Sequence, residues 1–392
     1  MAVSPDNFLI AFNPVCLNQI EKTFFTFDRP CFALRINTSK RKMKPIYFII
    51  LSFMIGFSAC SNKINKQRKP VTNILITPSN KTLRQGNEIS VFVQAKLFNA
   101  KLDRIELFID NQILTISEKE NFSYILQTKD LVLGHHSIGT KTYNRLGQSS
   151  THYAQFLIVS DIEPQKPGFR IEKIFNHQPD FFTQGLEFYK GKLYEGTGNY
   201  GASKIVLYDS SKEKIVKEKK LEDSFFGERI TLLNGKLYQL TYKSQKAFVY
   251  DAHTLERLRE FSFSSREGWG LCNDGKYLIM SNGSSIIHYL DTLSFQRVKS
   301  IEVCDHKGCI QQINELEYHN GAIYANLWMT NSIIKIDAQS GQVLSLYDLS
   351  DLLSYFDNKN MDVMNGIAFH PSENRFYVTG KYWPKLFALT LE

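Results

Sequence analysis

The chain has 392 residues, 43% hydrophobic and 22% charged, with 22 glycines and 11 prolines; this globular balance excludes wholesale disorder and collagen-like repetition. Its length allows two or three domains with ample core. The formal charge of +8 comes partly from residues flanking one hydrophobic run, Lys40, Arg41, Lys42 and Lys44 before it and Lys63, Lys66, Arg68 and Lys69 after it. That placement assigns the charge to targeting and solvation and argues against nucleic-acid binding.

The run itself, residues 46–57, is too short to cross a bilayer as a helix, which needs about 20 residues. It suits the apolar core of a secretory signal. It ends in Phe57-Ser58-Ala59-Cys60, and small residues before a cysteine resemble a bacterial lipoprotein signal. On that resemblance Cys60 carries lipid, residues 43–60 are the signal, and Met43 is the expected start. Residues 1–42 are then a mis-assigned extension. The chain is expected to be exported and membrane-anchored, facing the periplasm or the cell exterior. Of the remaining cysteines, Cys304 and Cys309 are spaced to close a small disulfide loop, with a metal site at His306 as the alternative.

Residues 61–70 are polar and basic and read as a tether. Residues 71–160 carry short alternating runs, among them Ile89-Ser90-Val91-Phe92-Val93 and Arg104-Ile105-Glu106-Leu107-Phe108-Ile109, the second stopped by the turn pair Asp110-Asn111. This layout resembles immunoglobulin-like sandwich modules. His135 and His136 fall on one strand, where neighbours point to opposite faces, so they are expected at the surface and in packing. Residues 161–168, with Pro164 and Pro167, form the linker.

Beyond Gly168 the sequence repeats. A turn and a Tyr-bearing strand recur at Gly191-Lys192-Leu193-Tyr194, Gly235-Lys236-Leu237-Tyr238, Gly275-Lys276-Tyr277-Leu278 and Gly321-Ala322-Ile323-Tyr324, at spacings of 44, 40 and 46 residues. A degenerate fifth copy is Asn374-Arg375-Phe376-Tyr377. A further strand after each of the first four copies ends in Asp209, Asp251, Asp291 and Asp337. Periods of about 40–50 with several strands each mean a β-propeller. Residues 169–392 accommodate five blades. The missing outer strand of the last blade is expected from residues 169–175, which seals the ring. The predicted fold is all-β: a five-bladed β-propeller preceded by a small immunoglobulin-like β-sandwich.

Aligning the repeats on their turns gives two rings of equivalent positions. One is Gln184, Glu228, Trp269, Asn314 and Asn365; the other is Gly198, Tyr242, Asn282, Trp328 and Lys381. Purely structural repeat positions carry similar residues, whereas these carry amides, an acid, indoles and an amine. Radial blades aim equivalent loops at one axis, so the diversity points to a single asymmetric pocket. Trp269, Trp328 and Tyr242 offer flat apolar walls. Gln184, Asn314 and Asn365 offer amides, Glu228 a proton shuttle and Lys381 a cation. The sequence has no HExxH, Walker, Rossmann or G-x-S-x-G pattern.

Phe182-Thr183-Gln184-Gly185-Leu186, Leu193-Tyr194-Glu195-Gly196-Thr197-Gly198, Phe226-Gly227-Glu228, Glu267-Gly268-Trp269-Gly270-Leu271, Asn314-Glu315-Leu316-Glu317-Tyr318, Ala325-Asn326-Leu327-Trp328, Asn365-Gly366-Ile367-Ala368 and Val378-Thr379-Gly380-Lys381-Tyr382-Trp383-Pro384 run in order across residues 168–392. They resemble glutaminyl-peptide cyclotransferases of the plant and bacterial propeller type. The resemblance implies conversion of N-terminal glutamine to pyroglutamate with release of ammonia, without metal or other cofactor. It implies Glu228 as acid/base with Lys381, Asn314 and Gln184 as polar catalytic contacts. Trp269, Trp328, Tyr242, Phe182 and Asn365 are then the substrate-binding set, and the partners are peptides or proteins with N-terminal Gln.

Two positions depart from the family. Arg229 stands where a glycine is usual and is expected to add a cation beside the acid; Tyr242 stands where tryptophan is usual. Two other readings stay open: a non-catalytic, lipid-anchored propeller binding peptides or glycans, and a hydrolase yielding open-chain glutamate.

Overall fold

The structure is a computed structural model that describes residues 68–209, 211–356 and 360–392. The expectations for residues 1–42, the signal with Cys60, and residues 61–67 of the tether lie outside the described residues. All the described residues belong to one compact unit, Asn65–Glu392.

Two antiparallel-dominated sheets come first. One joins Val71–Thr77, Glu88–Lys96 and Asn121–Gln127; the other orders Thr82–Arg84, Ser149–Val159, Gly134–Asn144, Leu102–Ile109 and Gln112–Ser117. The alternation seen in sequence becomes a shared core: Ile89, Val91 and Val93 face Ile105, Leu107 and Ile138, all fully buried. On the Gly134–Asn144 strand His135 is exposed while His136 is buried, its Nδ1 2.5 Å from Asp110 Oδ2.

Five four-stranded antiparallel sheets come after them in the chain. Their first strands are Thr183–Tyr189, Gly227–Leu233, Leu271–Asn273, Ile313–His319 and Met364–His370. Each first strand packs on the next, and the last packs back on the first. These strands are rich in small and apolar residues because neighbours cover both faces; every residue of Gly227–Leu233 and Met364–His370 is buried. The fourth strands of the first three sheets, such as Arg257–Ser262, are charged and mostly exposed, whereas that of the fourth sheet, Val343–Asp348, is half-buried. The final strand, Lys385–Leu391, pairs antiparallel with Phe169–Asn176, so the fifth sheet takes its outer strand from ahead of the first. The two ends of the ring are thus held in one sheet, and Lys385–Leu391 is not left as its edge. Buried His177 adds a polar tie at the same closure, with its ring nitrogens 2.7 Å from the Trp383 carbonyl oxygen and 3.2 Å from the Glu195 carboxylate.

The recurring turn residues have local causes. Lys190-Gly191, Asn234-Gly235 and Asn320-Gly321 all have positive φ, between 47° and 77°, the geometry of tight hairpin turns whose twist matches the strands. The recurring aspartates close the next turn. Asp251 Oδ1 accepts from the N–H groups of His253 and Thr254, and Asp291 and Asp337 repeat the pattern.

The first two sheets meet the ring at one place. Glu302 accepts hydrogen bonds from the backbone N–H of His135 and from Ser285, with His135 Nδ1 2.8 Å away. Cys304 and Cys309 are bonded to each other, and both pack into the core of the first two sheets. His306 is not part of a metal-ligand group among the described residues; the grouping that does occur, His135, Glu302 and Cys309, includes a sulfur already in the disulfide.

Candidate active site

Each first strand except the third begins with a shift in register. The breaks fall between Thr183 and Gly185, Gly227 and Ile230, Ile313 and Leu316, and Met364 and Ile367. Gln184, Glu228, Asn314 and Asn365 sit within these breaks. A bulge re-aims a side chain that a regular strand would direct into a sheet face. Repeated around the ring, it brings one acid and three amides to one end of the axis, where Gln184, Glu228 and Asn314 line a cavity.

Gln184, Glu228 and Asn314 meet Trp269 of the third sheet around a cavity of about 420 Å³. Lys381, Tyr242 and Trp328 reach it from the ends of second strands, and Phe182 from the loop before the first. Trp269 and Trp328 make an edge-to-face pair with centroids 5.6 Å apart. Phe226 packs between Phe182 and Tyr242, at 5.9 and 5.6 Å. The wall is therefore aromatic on both sides.

Two glycines make room for it. A Cβ on Gly283, at φ +82°, would lie 2.8 Å from the Trp269 ring, and one on Gly198 would lie 2.5 Å from Phe226. Gly198 thus gives clearance and contributes no chemistry. Asn282, its counterpart in the third sheet, bonds to Ser265 and Ser284 away from the cavity.

Glu228 is 4% exposed and has no hydrogen-bond donor on its carboxylate among the described residues. Burial pushes its pKa well above the ordinary value; Lys381 opposes this and Glu267 adds to it. Lys381 is 6% exposed, with Nζ 4.5 Å over the Phe182 ring. Burial lowers its pKa, against the pull of Glu228 and Asp362. An acid raised and an amine lowered within one cavity stand closer in proton affinity than the free groups do, the mark of a site built for proton transfer.

Asn365, expected at the substrate, is fully buried behind the lining. Its Nδ2 donates to Gln184 Oε1 and to the Thr183 carbonyl, and its Oδ1 accepts from Asn314 Nδ2. It holds the two lining amides and does not face the cavity. Arg229 is a correction. It does not stand beside Glu228; consecutive strand residues diverge, and its guanidinium runs to the centre of the ring, wholly buried. There it meets Glu315 at 2.6 Å, Glu317 at 3.1 Å and Glu187 at 3.4 Å. It also donates to the carbonyls of Leu186, Leu271 and Leu316. A Cβ on Gly185 would collide with its side chain.

Sequence reasoning missed Phe226, Met329 and Asp362 as lining residues, and Glu267, which accepts from Trp269 Nε1 at 2.9 Å. Phe226 and Glu267 lie in the family motifs. Met329 follows Trp328 at a position of positive φ shared with Asn199, Gly283 and Tyr382, so the second ring could have pointed to it; Asp362 belongs to neither ring.

The family model described as "Glutamine cyclotransferase" matches residues 136–391. The chain belongs to the glutamine cyclotransferase family. It is 36% identical over 224 residues to the glutaminyl-peptide cyclotransferase of Arabidopsis thaliana, covering 56% of this chain and 69% of that one. It is similar to the crystal structure of Myxococcus xanthus glutaminyl cyclase at 30% identity and a TM-score of 0.55, over 59% of this chain and 99% of that one. Membership makes the chain an enzyme and sets aside the expectation of a non-catalytic module. The matched span begins inside the Gly134–Asn144 strand, so this cyclotransferase carries additional β-structure ahead of the shared part.

Proposed function

We propose that the chain converts the N-terminal glutamine of peptides or proteins to pyroglutamate with release of ammonia. The observation that carries the reading is the sharing of one aromatic-walled cavity by a buried acid of raised pKa, a buried lysine of lowered pKa and two lining amides. In the reaction the α-amine nitrogen bonds to the side-chain carbonyl carbon, and the bond from that carbon to the amide nitrogen breaks. Glu228 as carboxylate takes a proton from the attacking amine. It then delivers the proton to the leaving nitrogen, which departs as ammonia. Charge on the carbonyl oxygen in between is met by Lys381 and an amide donor, help of a kind typically worth about 10²–10³ in rate for a single donor. The aromatic walls hold the glutamine chain in a ring-closing shape.

Each step uses side chains of this chain, and we read the reaction as independent of metal. We read the five sheets as blades of one propeller, residues 169–392, and the first two sheets, residues 71–160, as an immunoglobulin-like module joined by residues 161–168. The residues 46–60 pattern supports export and lipid attachment at Cys60, with residues 61–70 as tether. Mass spectrometry of a Gln-Xaa dipeptide incubated with the protein and a chelator tests the activity. A loss of about 17 Da, the mass of ammonia released on lactam closure, is expected. No loss across several Gln-Xaa peptides with folded protein overturns it, and release of ammonia with uptake of water to give open-chain glutamate points to hydrolysis.

A further inference from the structure

One backbone carbonyl settles the orientation of three side-chain amides. The carbonyl oxygen of Thr183 can only accept, so the Asn365 atom 3.0 Å from it is Nδ2. Asn365 Oδ1 therefore lies on the other side, where Asn314 Nδ2 donates to it at 3.0 Å. Asn365 Nδ2 also donates to Gln184 Oε1 at 3.1 Å. Turning any one amide over would set oxygen against oxygen or N–H against N–H. The chain of bonds thus runs one way, from Asn314 through Asn365 to Gln184, in an environment where all three residues are at most 5% exposed.

The groups left over have opposite character. Gln184 commits its oxygen to Asn365 and retains its Nε2 hydrogens; Asn314 commits an N–H and retains Oδ1. Among the described residues neither Gln184 Nε2 nor Asn314 Oδ1 has a hydrogen-bond partner, and both side chains line the cavity. We propose that Asn365 sets the polarity of the site, so that Gln184 donates to the carbonyl oxygen of a primary carboxamide and Asn314 Oδ1 accepts from its NH₂. This rests on the activity proposed above and names what selects glutamine over glutamate at that site.

Selection needs such a device. Lys381 attracts a γ-carboxylate as readily as it polarises an amide carbonyl, so the cation alone would favour the wrong residue. A carboxamide satisfies both the donor of Gln184 and the acceptor of Asn314. A carboxylate, which has no hydrogen to give, sets an oxygen against Asn314 Oδ1 inside the aromatic-walled cavity. Asn314 is then the specificity-determining contact and Asn365 the positioning residue behind it.

The test uses the full chain, with Gln-Ala-amide as substrate and Glu-Ala-amide as inhibitor. For Asn314→Ala the KM of the glutamine peptide rises, while the inhibition constant of the glutamate peptide falls by about tenfold, within the range expected when one uncompensated buried acceptor is removed. For Asn365→Ala, with both amides free to turn over, the ratio of glutamate inhibition constant to glutamine KM falls by about tenfold as well. General damage weakens both peptides together. Parallel weakening in Asn314→Ala, or an unchanged ratio in Asn365→Ala, overturns the inference and leaves the activity standing. Wild-type protein that releases no ammonia from the glutamine peptide overturns the activity and the inference with it. The two substitutions act at different positions, so failure of one to fold leaves the other decisive.

Discussion

Replacing Glu228 by glutamine separates chemistry from shape. The two side chains match in size, and the carboxylate accepts no hydrogen bond within the described residues, so the amide fits the same space without breaking one. What disappears is the group that takes and returns the proton. General acid–base help contributes about 10²–10⁴ in rate, which at about 1.4 kcal/mol per tenfold is about 3–6 kcal/mol of barrier. The expected result is a fall of that size in kcat with KM changed less than about threefold, because the aromatic walls and lining amides remain. A second measurement checks the same physics. Burial raises the Glu228 pKa, so the folded state keeps a proton that the unfolded chain releases above the ordinary carboxylate range, and stability falls as pH rises through that interval. Glu228→Gln lacks this contribution. Its melting temperature should equal or exceed that of the wild type, by an amount that grows as pH rises above the ordinary carboxylate range. Ammonia release in a coupled assay and calorimetry across that pH range measure both. A kcat within tenfold of wild type refutes the acid/base role; a melting temperature lowered equally at every pH refutes the strained, buried carboxylate.

The same geometry bears on pH, binding and stability. The pH profile of kcat/KM should have its acid limb above the ordinary carboxylate range, because Glu228 works as the carboxylate and its pKa is raised. Its alkaline limb should lie below the ordinary lysine range, because Lys381 works as the cation and its pKa is lowered; Lys381→Arg should move that limb upward. Trp269→Ala removes one of two paired indoles and should raise KM about tenfold or more, measured with a Gln-Xaa series, with a smaller effect on kcat. Arg229→Met leaves three buried carboxylates without their cation and should destabilise by about 3–5 kcal/mol in urea melts.

The sheets were legible because their turns repeat: a residue with positive φ before glycine recurs at three hairpins, and the aspartates mark the turns they cap. The cavity was legible because equivalent offsets in radial repeats converge, which brought Gln184, Glu228, Trp269 and Asn314 together with Tyr242, Trp328 and Lys381. Offsets do not show direction. Asn365 shares the register of its neighbours yet points along the ring, because Gln184 and Asn314 flank it and complete its hydrogen bonds. Asn282 and Gly198 share the other register and supply a loop bond and clearance. Arg229 was placed beside the acid from adjacency in sequence, although the alternation applied to His135 and His136 holds equally for Glu228 and Arg229. Met329 follows Trp328 in the second register, with Asn199, Gly283 and Tyr382 as its counterparts, so that repeat could have announced it, whereas Asp362 belongs to neither ring.

The pair Glu228 and Arg229 shows how one strand serves two opposed requirements. Catalysis needs a carboxylate that is desolvated and left without a strong partner, which destabilises its charged form. The centre of the ring needs its buried glutamates neutralised, and burial still pushes Glu187 up to about 7 and Glu315 up to about 8 despite the arginine. Were Arg229 beside Glu228, its charge would hold the acid ionised and remove the match in proton affinity that the transfer uses. Because the chain direction reverses side-chain facing at every step, adjacent residues reach separate compartments, and Lys381 is left as the cation that opposes the rise in the Glu228 pKa. Gly185 on the neighbouring strand is what admits the Arg229 side chain. An alanine at Gly185 should therefore displace the arginine and unsettle the glutamate cluster. Because residue 185 adjoins Gln184, the same change should also lower kcat through the amide chain. Loss of stability with full kcat per folded molecule would show that the centre of the ring and the cavity are mechanically independent.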